Sequence, residues 1–169
     1  MTRETKHMPS QKLTICFDLD GTLINSAPDL FNALDHCLIS HSFPPADYNK
    51  IRPHIGQGAK AMIRKALENS QLSAITSDED LIETLWHSFI DHYKIHSADH
   101  SHPFEGAIEA MELLSDEGHT LAVCTNKTEQ LTLPLLDKLD LSKHFSAITC
   151  ADSYPFKKPD PRHLLNTIT

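Results

Sequence analysis

Residues 17–24 read FDLDGTLI and directly follow the apolar run LTIC at residues 13–16. The apolar run predicts a buried strand, Leu13–Phe17, that leads into two carboxylates, Asp18 and Asp20. In an open α/β sheet, chemistry collects at the carboxyl ends of the strands, where two acids can hold a hard cation and one can attack an electrophile. The acid pair alone favours an ordinary Asp-Gly turn after a strand. The Gly-Thr-Leu that follows, and partners further along the chain, favour a catalytic site instead.

Four stretches of the chain together resemble one protein family. Residues 17–24 look like the first motif of the haloacid dehalogenase superfamily of phosphatases, D-x-D-G-T-[LV]. Residues 26–30 (SAPDL), 123–127 (VCTNK) and 157–161 (KKPDP) resemble its phosphoglycolate phosphatase branch. The signal is specific because the motifs occur in order with suitable gaps over nearly the whole chain. The resemblance implies an α/β fold, a three-layer Rossmann-like parallel sheet that is incomplete at its C-terminus, with an inserted α-helical C1 cap.

Length and charge limit the class of protein. The chain has 169 residues, enough for one domain or for a core with a small insertion. A formal net charge of −8 argues against nucleic acid or an anionic membrane as partner, although a local field can still favour a phosphorylated substrate. Four cysteines without a C-x-x-C pair favour reduced, packed thiols. Residues 1–11 lack the apolar region of a signal peptide and no stretch approaches a membrane span, so we expect a cytoplasmic protein.

Apolar runs predict three buried parallel strands, at Leu13–Phe17, Thr120–Cys124 and roughly Ala147–Cys150. A helix is expected near Phe104–Glu117, with Gly118 at its C′ position. Its buried face would carry Ile108, Met111 and Leu114. In residues 129–139, Pro134 would interrupt a continuous helix, so regular helix is expected to start near Pro134 itself.

Residues 26–102 read as a small helical bundle. Ser26 can cap its first helix, and the pattern at Ser77–Asp80 can cap its third. Apolar stripes mark the three helices, at Leu30, Leu34, Cys37 and Leu38; at Ala59, Met62, Ile63, Ala66 and Leu67; and at Leu81, Leu85, Phe89 and Tyr93. We therefore predict a helical domain over 26–102, inserted into a core domain made of 12–25 and 103–169. In the resembled family such a bundle is the C1 cap, a lid that closes over the site.

The first motif supports phosphoryl transfer. Asp18 is the predicted nucleophile, which would take the phosphoryl group as an aspartyl-phosphate. Asp20 would protonate the leaving alcohol and later accept a proton from the attacking water. A dehalogenase has no need of this second acid because halide leaves without a proton, so Asp20 favours a phosphatase. Mg²⁺ fits an oxygen-only site made of the Asp18 carboxylate and the Asp20 backbone carbonyl.

The second and third motifs would contact the phosphoryl group. Thr125 resembles the hydroxyl residue of motif two and Asn126 can add a contact, although Thr and Asn are also routine helix N-caps. Lys158 resembles the lysine of motif three and would balance the charge of Asp18 and the phosphoryl group. Lys157 is its rival; Lys158 is preferred because the family's lysine immediately precedes Pro-x-Pro.

Two glycines and a histidine cluster are further candidates. Gly21 would leave space for substrate, and backbone N–H groups of its turn could hold phosphoryl oxygens. Gly56, in a Gly-Gln-Gly loop, is a candidate substrate-binding position, since a glycine-containing cap loop faces the site in the resembled branch. His96, His100 and His102 suggest zinc, but the turn-like composition of their segment and its place at the expected hinge favour a linker.

The resemblance is incomplete after motif three. The family needs a fourth motif, with acidic residues at the tip of a further strand that complete the Mg²⁺ shell. Residues 159–169 contain no such strand, and 162–169 read as the start of a helix. The first strand would then have an open flank, and we expect weak or no activity from this chain by itself.

The leading function is a Mg²⁺-dependent phosphate monoester hydrolase acting on phosphoglycolate or a similar small phosphorylated metabolite. Phosphomutase-type transfer between sugar positions is one alternative. A catalytically dead fragment or binding module is another, since motif four is missing. The sequence leaves the exact substrate and the oligomeric state open, a homodimer included.

Overall fold

The computed structural model describes residues 11–168. In chain order they form β1 (Thr14–Phe17), β2 (Ile24–Asn25), α1 (Ala27–Ser40), α2 (Tyr48–Ile51), α3 (Ala59–Asn69), α4 (Glu79–His96), β3 (His102–Pro103), α5 (Ala107–Asp116), β4 (Thr120–Cys124), α6 (Glu129–Lys138), β5 (Ala147–Thr149) and α7 (Pro161–Thr167). Short 3₁₀ turns lie at Arg52–His54, Ser73–Ile75 and Ser142–His144.

The main sheet is parallel, in the order β1-β4-β5. Phe17 lies opposite Val123, and Cys124 lies opposite Thr149. The carboxyl ends of these strands therefore meet at one edge of the sheet, where the loops after β1 and β4 begin. The predicted α/β class with a parallel sheet is confirmed.

Strand β1 lies at the edge of this sheet, as the expected open flank requires. The prediction that Leu13–Phe17 is buried is wrong. Leu13 is 51% exposed, Thr14 is exposed and the rest of β1 is half-buried. The reason is that, among residues 11–168, one side of β1 has no pairing strand to cover it.

The helical segment, residues 26–102, begins and ends at the same place in the fold. There β2 and β3 form a two-residue antiparallel ladder, with Asn25 opposite His102. The predicted stripe of α1 is buried, as are Met62, Ile63, Ala66 and Leu67 of α3. Together with residues of α4 they form one apolar cluster, distinct from a second cluster around the sheet.

Two local predictions need correction, a third is narrowed to one residue, and one helix was not predicted. Helix α6 runs from Glu129 straight through Pro134 instead of starting there, because buried leucines on both sides of the proline hold the turn in place. The cap of α4 is Asp78, whose carboxylate accepts from the Leu81 N–H at 3.1 Å. Ile108 is 37% exposed, whereas Met111 is buried. Helix α2 was not expected, since four residues are too few to show a periodicity.

Within residues 11–168, no helix combines the length and the apolar character needed to cross a membrane.

Candidate active site

Asp18 and Lys158 form an ion pair at the carboxyl edge of the sheet. The Lys158 Nζ lies 2.9 Å from Asp18 Oδ1, with the side chains 31% and 41% exposed. The same Oδ1 accepts from the Leu19 N–H at 2.8 Å, so the carboxylate is oriented and its Oδ2 is left for other partners. The structure thus brings Lys158, and not its rival Lys157, to Asp18.

Asp20 lies in a different, buried environment. Its side chain is 8% exposed, and Lys127 donates to both carboxylate oxygens, at 3.1 and 3.2 Å. Ser26, the residue before α1, donates its hydroxyl to Asp20 Oδ1 at 2.5 Å. Ser26 therefore occupies the predicted cap position but makes no capping hydrogen bond with its side chain.

Lys127 is the buried cation of this site. Its side chain is 3% exposed, and its Nζ also donates to the Tyr93 hydroxyl at 2.9 Å. Burial alone would lower the pKa of Lys127, but the Asp20 carboxylate and the Tyr93 hydroxyl outweigh it, so the pKa is raised. Burial raises the pKa of Tyr93 to about 12, against the opposing effect of the ammonium. Lys127 is therefore charged and Tyr93 neutral over the physiological range.

The turn after β1 depends on Gly21. Its φ is +76°, a region that side chains rarely adopt, and a Cβ built there meets nothing within 4 Å. The backbone N–H groups of residues 21–24 all donate to carbonyls within this turn. These four N–H groups are therefore engaged within the turn itself, and phosphoryl binding by other N–H groups of the turn stays a prediction.

Thr125 and Asn126 follow β4 directly, beside the end of β1. The Thr125 hydroxyl oxygen accepts from the Lys127 N–H at 3.1 Å, and the Asn126 side-chain amide donates to the Lys158 carbonyl at 3.2 Å. Neither residue is a helix N-cap, because α6 begins later and is preceded by Thr128. The Asn126 Oδ1 is buried without a hydrogen-bond partner among the described residues, which leaves an acceptor for a ligand.

A cavity of about 300 Å³ opens between this edge of the sheet and the helical segment. The sheet side contributes Asp20, Asn126 and Lys127. The helical side contributes Gly56, Gln57, Gly58, Ala59, Lys60, Met62, Trp86 and Phe89. Lys157 also lines this cavity. The structure therefore places Gly56 and Asn126 in one cavity with Asp20.

The residues present fit Mg²⁺ in kind but are few. Asp18 Oδ2 and the Asp20 backbone carbonyl are oxygen donors, the type that Mg²⁺ prefers. The Asp20 carboxylate is engaged by Lys127 and Ser26. Over residues 11–168, no group of three or more His, Cys, Asp or Glu side chains is arranged to hold a metal. Mg²⁺ commonly relies on one or two carboxylates together with substrate phosphate, and this arrangement matches that pattern.

Sequence reasoning missed Lys127 and Tyr93 as site residues. Lys127 was quoted as the last residue of motif two without a role, and Tyr93 was expected only in an apolar stripe. One signal was available for Lys127. A cation immediately before the N-cap of a helix faces the positive end of the helix dipole, so a nearby carboxylate was to be expected.

The sheet thus carries two carboxylates after its first strand, and one of them pairs with a lysine from a later loop. The chain belongs to the haloacid dehalogenase-like hydrolase family, whose sequence model matches residues 15–169.

Curated relatives cover almost all of this chain. The chain is 45% identical over 152 residues to the phosphoglycolate phosphatase of Agrobacterium fabrum, covering 90% of this chain and 64% of that protein. It is 42% identical over 154 residues to the phosphoglycolate phosphatase of Mesorhizobium japonicum, covering 91% of this chain and 66% of that protein. The chain thus spans about two thirds of the length of these relatives.

A solved structure supports the fold. The crystal structure of a predicted phosphoglycolate phosphatase from Haemophilus somnus 129PT matches with a TM-score of 0.82 and 31% identity. The match covers 92% of this chain and 69% of that one.

Proposed function

We propose that this chain carries the phosphoryl-transfer site of a Mg²⁺-dependent phosphate monoester hydrolase. The observation that carries the proposal is the ion pair of Asp18 with Lys158 at 2.9 Å. The second carboxylate of the site, that of Asp20, follows two residues later in the chain. An exposed carboxylate with one oxygen free is suited to attack, and a cation beside it offsets the charge of an incoming phosphate dianion.

The proposed first step forms an aspartyl-phosphate. Asp20 enters this step as the carboxylic acid, having taken up a proton beforehand. Asp18 Oδ2 attacks phosphorus, the bond from phosphorus to the alcohol oxygen breaks, and Asp20 gives that oxygen its proton and becomes a carboxylate. Lys158 and Thr125 contact the transferring group. Mg²⁺, when bound through Asp18 and the Asp20 carbonyl, would supply neutralising charge at the phosphoryl oxygens.

The proposed second step releases phosphate. Asp20 takes a proton from a water molecule, whose oxygen bonds to phosphorus while the bond to Asp18 breaks. Both carboxylates return to their starting forms. Asp20 must therefore act once as acid and once as base, which requires that its position be kept through the cycle.

The proposed substrate is phosphoglycolate or another small phosphorylated metabolite. A cavity of about 300 Å³ lies at the small end of ligand sites. Lys157 lines it and would face a second anionic group, such as a carboxylate. The naming of the two curated relatives as phosphoglycolate phosphatases supports the same choice. We propose that the helical segment acts as the cap over this cavity.

Replacement of the nucleophile tests the proposal. In the chain fused to the part of the Agrobacterium protein that it does not match, Asp18→Asn should reduce hydrolysis of phosphoglycolate by at least about 10³-fold and abolish phosphorylation of the protein, since a neutral amide cannot replace the attacking carboxylate. The control is Asp116→Asn, at the exposed end of α5. Phosphate release and trapping of the acyl-phosphate by hydroxylamine are the measurements.

Three results would contradict the proposal. Equal activity of the Asp18→Asn and Asp116→Asn variants would exclude Asp18 as nucleophile. Isomerised hexose phosphate in place of free phosphate would indicate a phosphomutase. Saturable binding of tungstate without any product from phosphoglycolate, even after fusion to the part of the Agrobacterium protein that this chain does not match, would indicate a binding module.

A further inference from the structure

Lys127 connects the helical segment with the turn after β1, two parts of the molecule whose apolar residues form separate clusters. Tyr93 belongs to the cluster of the helical segment and is fully buried on α4. Asp20 lies on the turn after β1, next to Leu19 of the sheet cluster. The Lys127 ammonium contacts both, at 2.9 Å to the Tyr93 hydroxyl and 3.1 Å to Asp20 Oδ1.

These contacts use every donor that Lys127 has. An ammonium carries three N–H donors. Two are directed at the two oxygens of Asp20, and the third at the Tyr93 hydroxyl. The Tyr93 ring also lies 4.5 Å from the ammonium. The direction in which the ammonium faces Asp20 is thus fixed partly by a residue of α4.

We propose that Lys127 is a positioning residue that orients Asp20, and that Tyr93 makes this orientation depend on the place of helix α4. The role of Asp20 in proton transfer rests on the proposed function. The physical link between Asp20 and α4 does not, because it consists of hydrogen bonds between described side chains.

The link acts in both directions. If the hydrogen bond between Lys127 and the Tyr93 hydroxyl is lost, the ammonium can rotate about the end of its alkyl chain, and Asp20 loses one fixed partner. If the Asp20 carboxylate is replaced by a neutral amide, Lys127 keeps an uncompensated buried cation, which favours movement of α4 and entry of water. Coupling between two positions is reciprocal in free energy, so a change at Asp20 must be detectable at α4.

Trp86 provides the probe. It is the only tryptophan of the chain, it lies on α4 two turns before Tyr93, and it lines the cavity. Its quenching by acrylamide reports how open the helical segment is, without metal, substrate or turnover. Asp20→Asn should increase this quenching. Asp18→Asn is the matched control, because Asp18 pairs with Lys158 and not with the helical segment.

The double variant separates a link from two independent effects. Tyr93→Phe removes one hydroxyl and keeps the buried ring, so the protein is expected to fold. It should increase Trp86 quenching, and Asp20→Asn should add nothing further in that background. The proposal is overturned if Asp20→Asn behaves like Asp18→Asn, or if the effects of Asp20→Asn and Tyr93→Phe add.

A kinetic measurement separates positioning from a purely structural role. In the chain fused to the unmatched part of the Agrobacterium protein, Tyr93→Phe should lower kcat for phosphoglycolate about tenfold or more with little change in KM, because misplacing the proton donor affects the reacting complex. The control is Tyr48→Phe, the same change at a partly exposed site of α2. Unchanged kcat in Tyr93→Phe would overturn the positioning role. If the proposed function is wrong, none of the variants will hydrolyse phosphoglycolate. The quenching of Trp86 does not depend on hydrolysis and still tests the link.

Discussion

Asp18 and Asp20 are two residues apart but lie in contrasting surroundings. Asp18 is 41% exposed and pairs with a lysine that is itself partly exposed. Asp20 is 8% exposed and is held by Lys127 and Ser26. A nucleophile must be reachable, whereas a proton carrier must be placed precisely, so the contrast matches the roles proposed for them.

The buried thiol of Cys37 gives a prediction at the same scale. Burial raises its pKa from 9.0 to about 12, with the Asp35 carboxylate adding to the effect. Above pH 9 the unfolded thiol ionises while the folded one stays protonated. The stability linked to Cys37 is therefore complete below pH 9 and is lost toward pH 12, by at most about 1.4 kcal/mol per pH unit.

Urea unfolding at a series of pH values checks this. The wild-type free energy of unfolding should fall more steeply above pH 9 than that of Cys37→Ala. The difference between the two profiles isolates the thiol, because Tyr93 and Lys127 are present in both proteins. Parallel profiles would contradict the assignment.

The sequence predicted the Asp18–Lys158 pairing from two motifs, but it could not predict the contact between Lys127 and Tyr93. A lysine between Asn126 and α6 can equally lie in solvent. Only the packing of α4 over the sheet edge brings Tyr93 within 2.9 Å of its ammonium. Contacts between residues far apart in sequence follow from packing, which local pattern does not specify.

Among the elements, predictions succeeded where periodicity was long. Helices α1, α3 and α4 each show at least three turns of apolar repeat, and their expected faces are buried except for Ala59 and Leu81, which are partly buried. The prediction for α6 was wrong at Pro134, because burial of the helix in the tertiary structure overrode a local helix breaker. Helix α2 was too short to leave a pattern.

The start of α1 is tied to the segment before β3 through Asp29. This buried carboxylate accepts from the N–H groups of His100 and Ser101 and from the Ser101 hydroxyl, the shortest contacts being 2.7 Å. Asp29→Asn replaces one acceptor oxygen with an NH₂ group, which cannot accept hydrogen bonds from the donors that surround it. We therefore expect a loss of about 2–4 kcal/mol in the free energy of unfolding.

Urea denaturation compares Asp29→Asn with Asp91→Asn, the same change at an exposed site of α4. The control should change stability by less than about 0.5 kcal/mol. If the two variants are equally stable, the hydrogen bonds of Asp29 do not hold these segments together.

For the whole molecule, the donor set predicts weak Mg²⁺ binding. Over residues 11–168, no cluster of three acidic or other metal-binding side chains is present, and Asp20 is engaged by Lys127. We expect a dissociation constant of about 1 mM or weaker for the 169-residue chain. At 10 mM Mg²⁺ this corresponds to a stabilisation of at most about 1.4 kcal/mol.

Thermal unfolding with and without Mg²⁺ measures this stabilisation, and Asp18→Asn should remove it. Binding in the micromolar range would show that further ligands have been overlooked. Fusion to the unmatched part of the Agrobacterium relative should tighten binding and raise phosphoglycolate hydrolysis together.

The overall class was predictable because each parallel strand shows a short apolar run next to turn residues. The relative placement of the helical segment was not, since no pattern in residues 26–102 states which face meets the sheet. Edge exposure of β1 followed from the order of strands and could be expected before the structure.

The pairing of Thr14 with Thr120 has a consequence for synthesis. Strand β1 leaves the ribosome first, but its neighbour follows roughly a hundred residues later, about 5–20 s at ordinary elongation rates. Helices α1 to α4 bury their apolar faces against one another, apart from a contact with Leu131 of α6, and can compact in that interval. Helices α1 to α4 are synthesised after β1 but become ordered before it, because β1 still lacks its partner strand. A nascent chain arrested before β4 would hold a folded helical bundle while Asp18 and Asp20 still lacked their places.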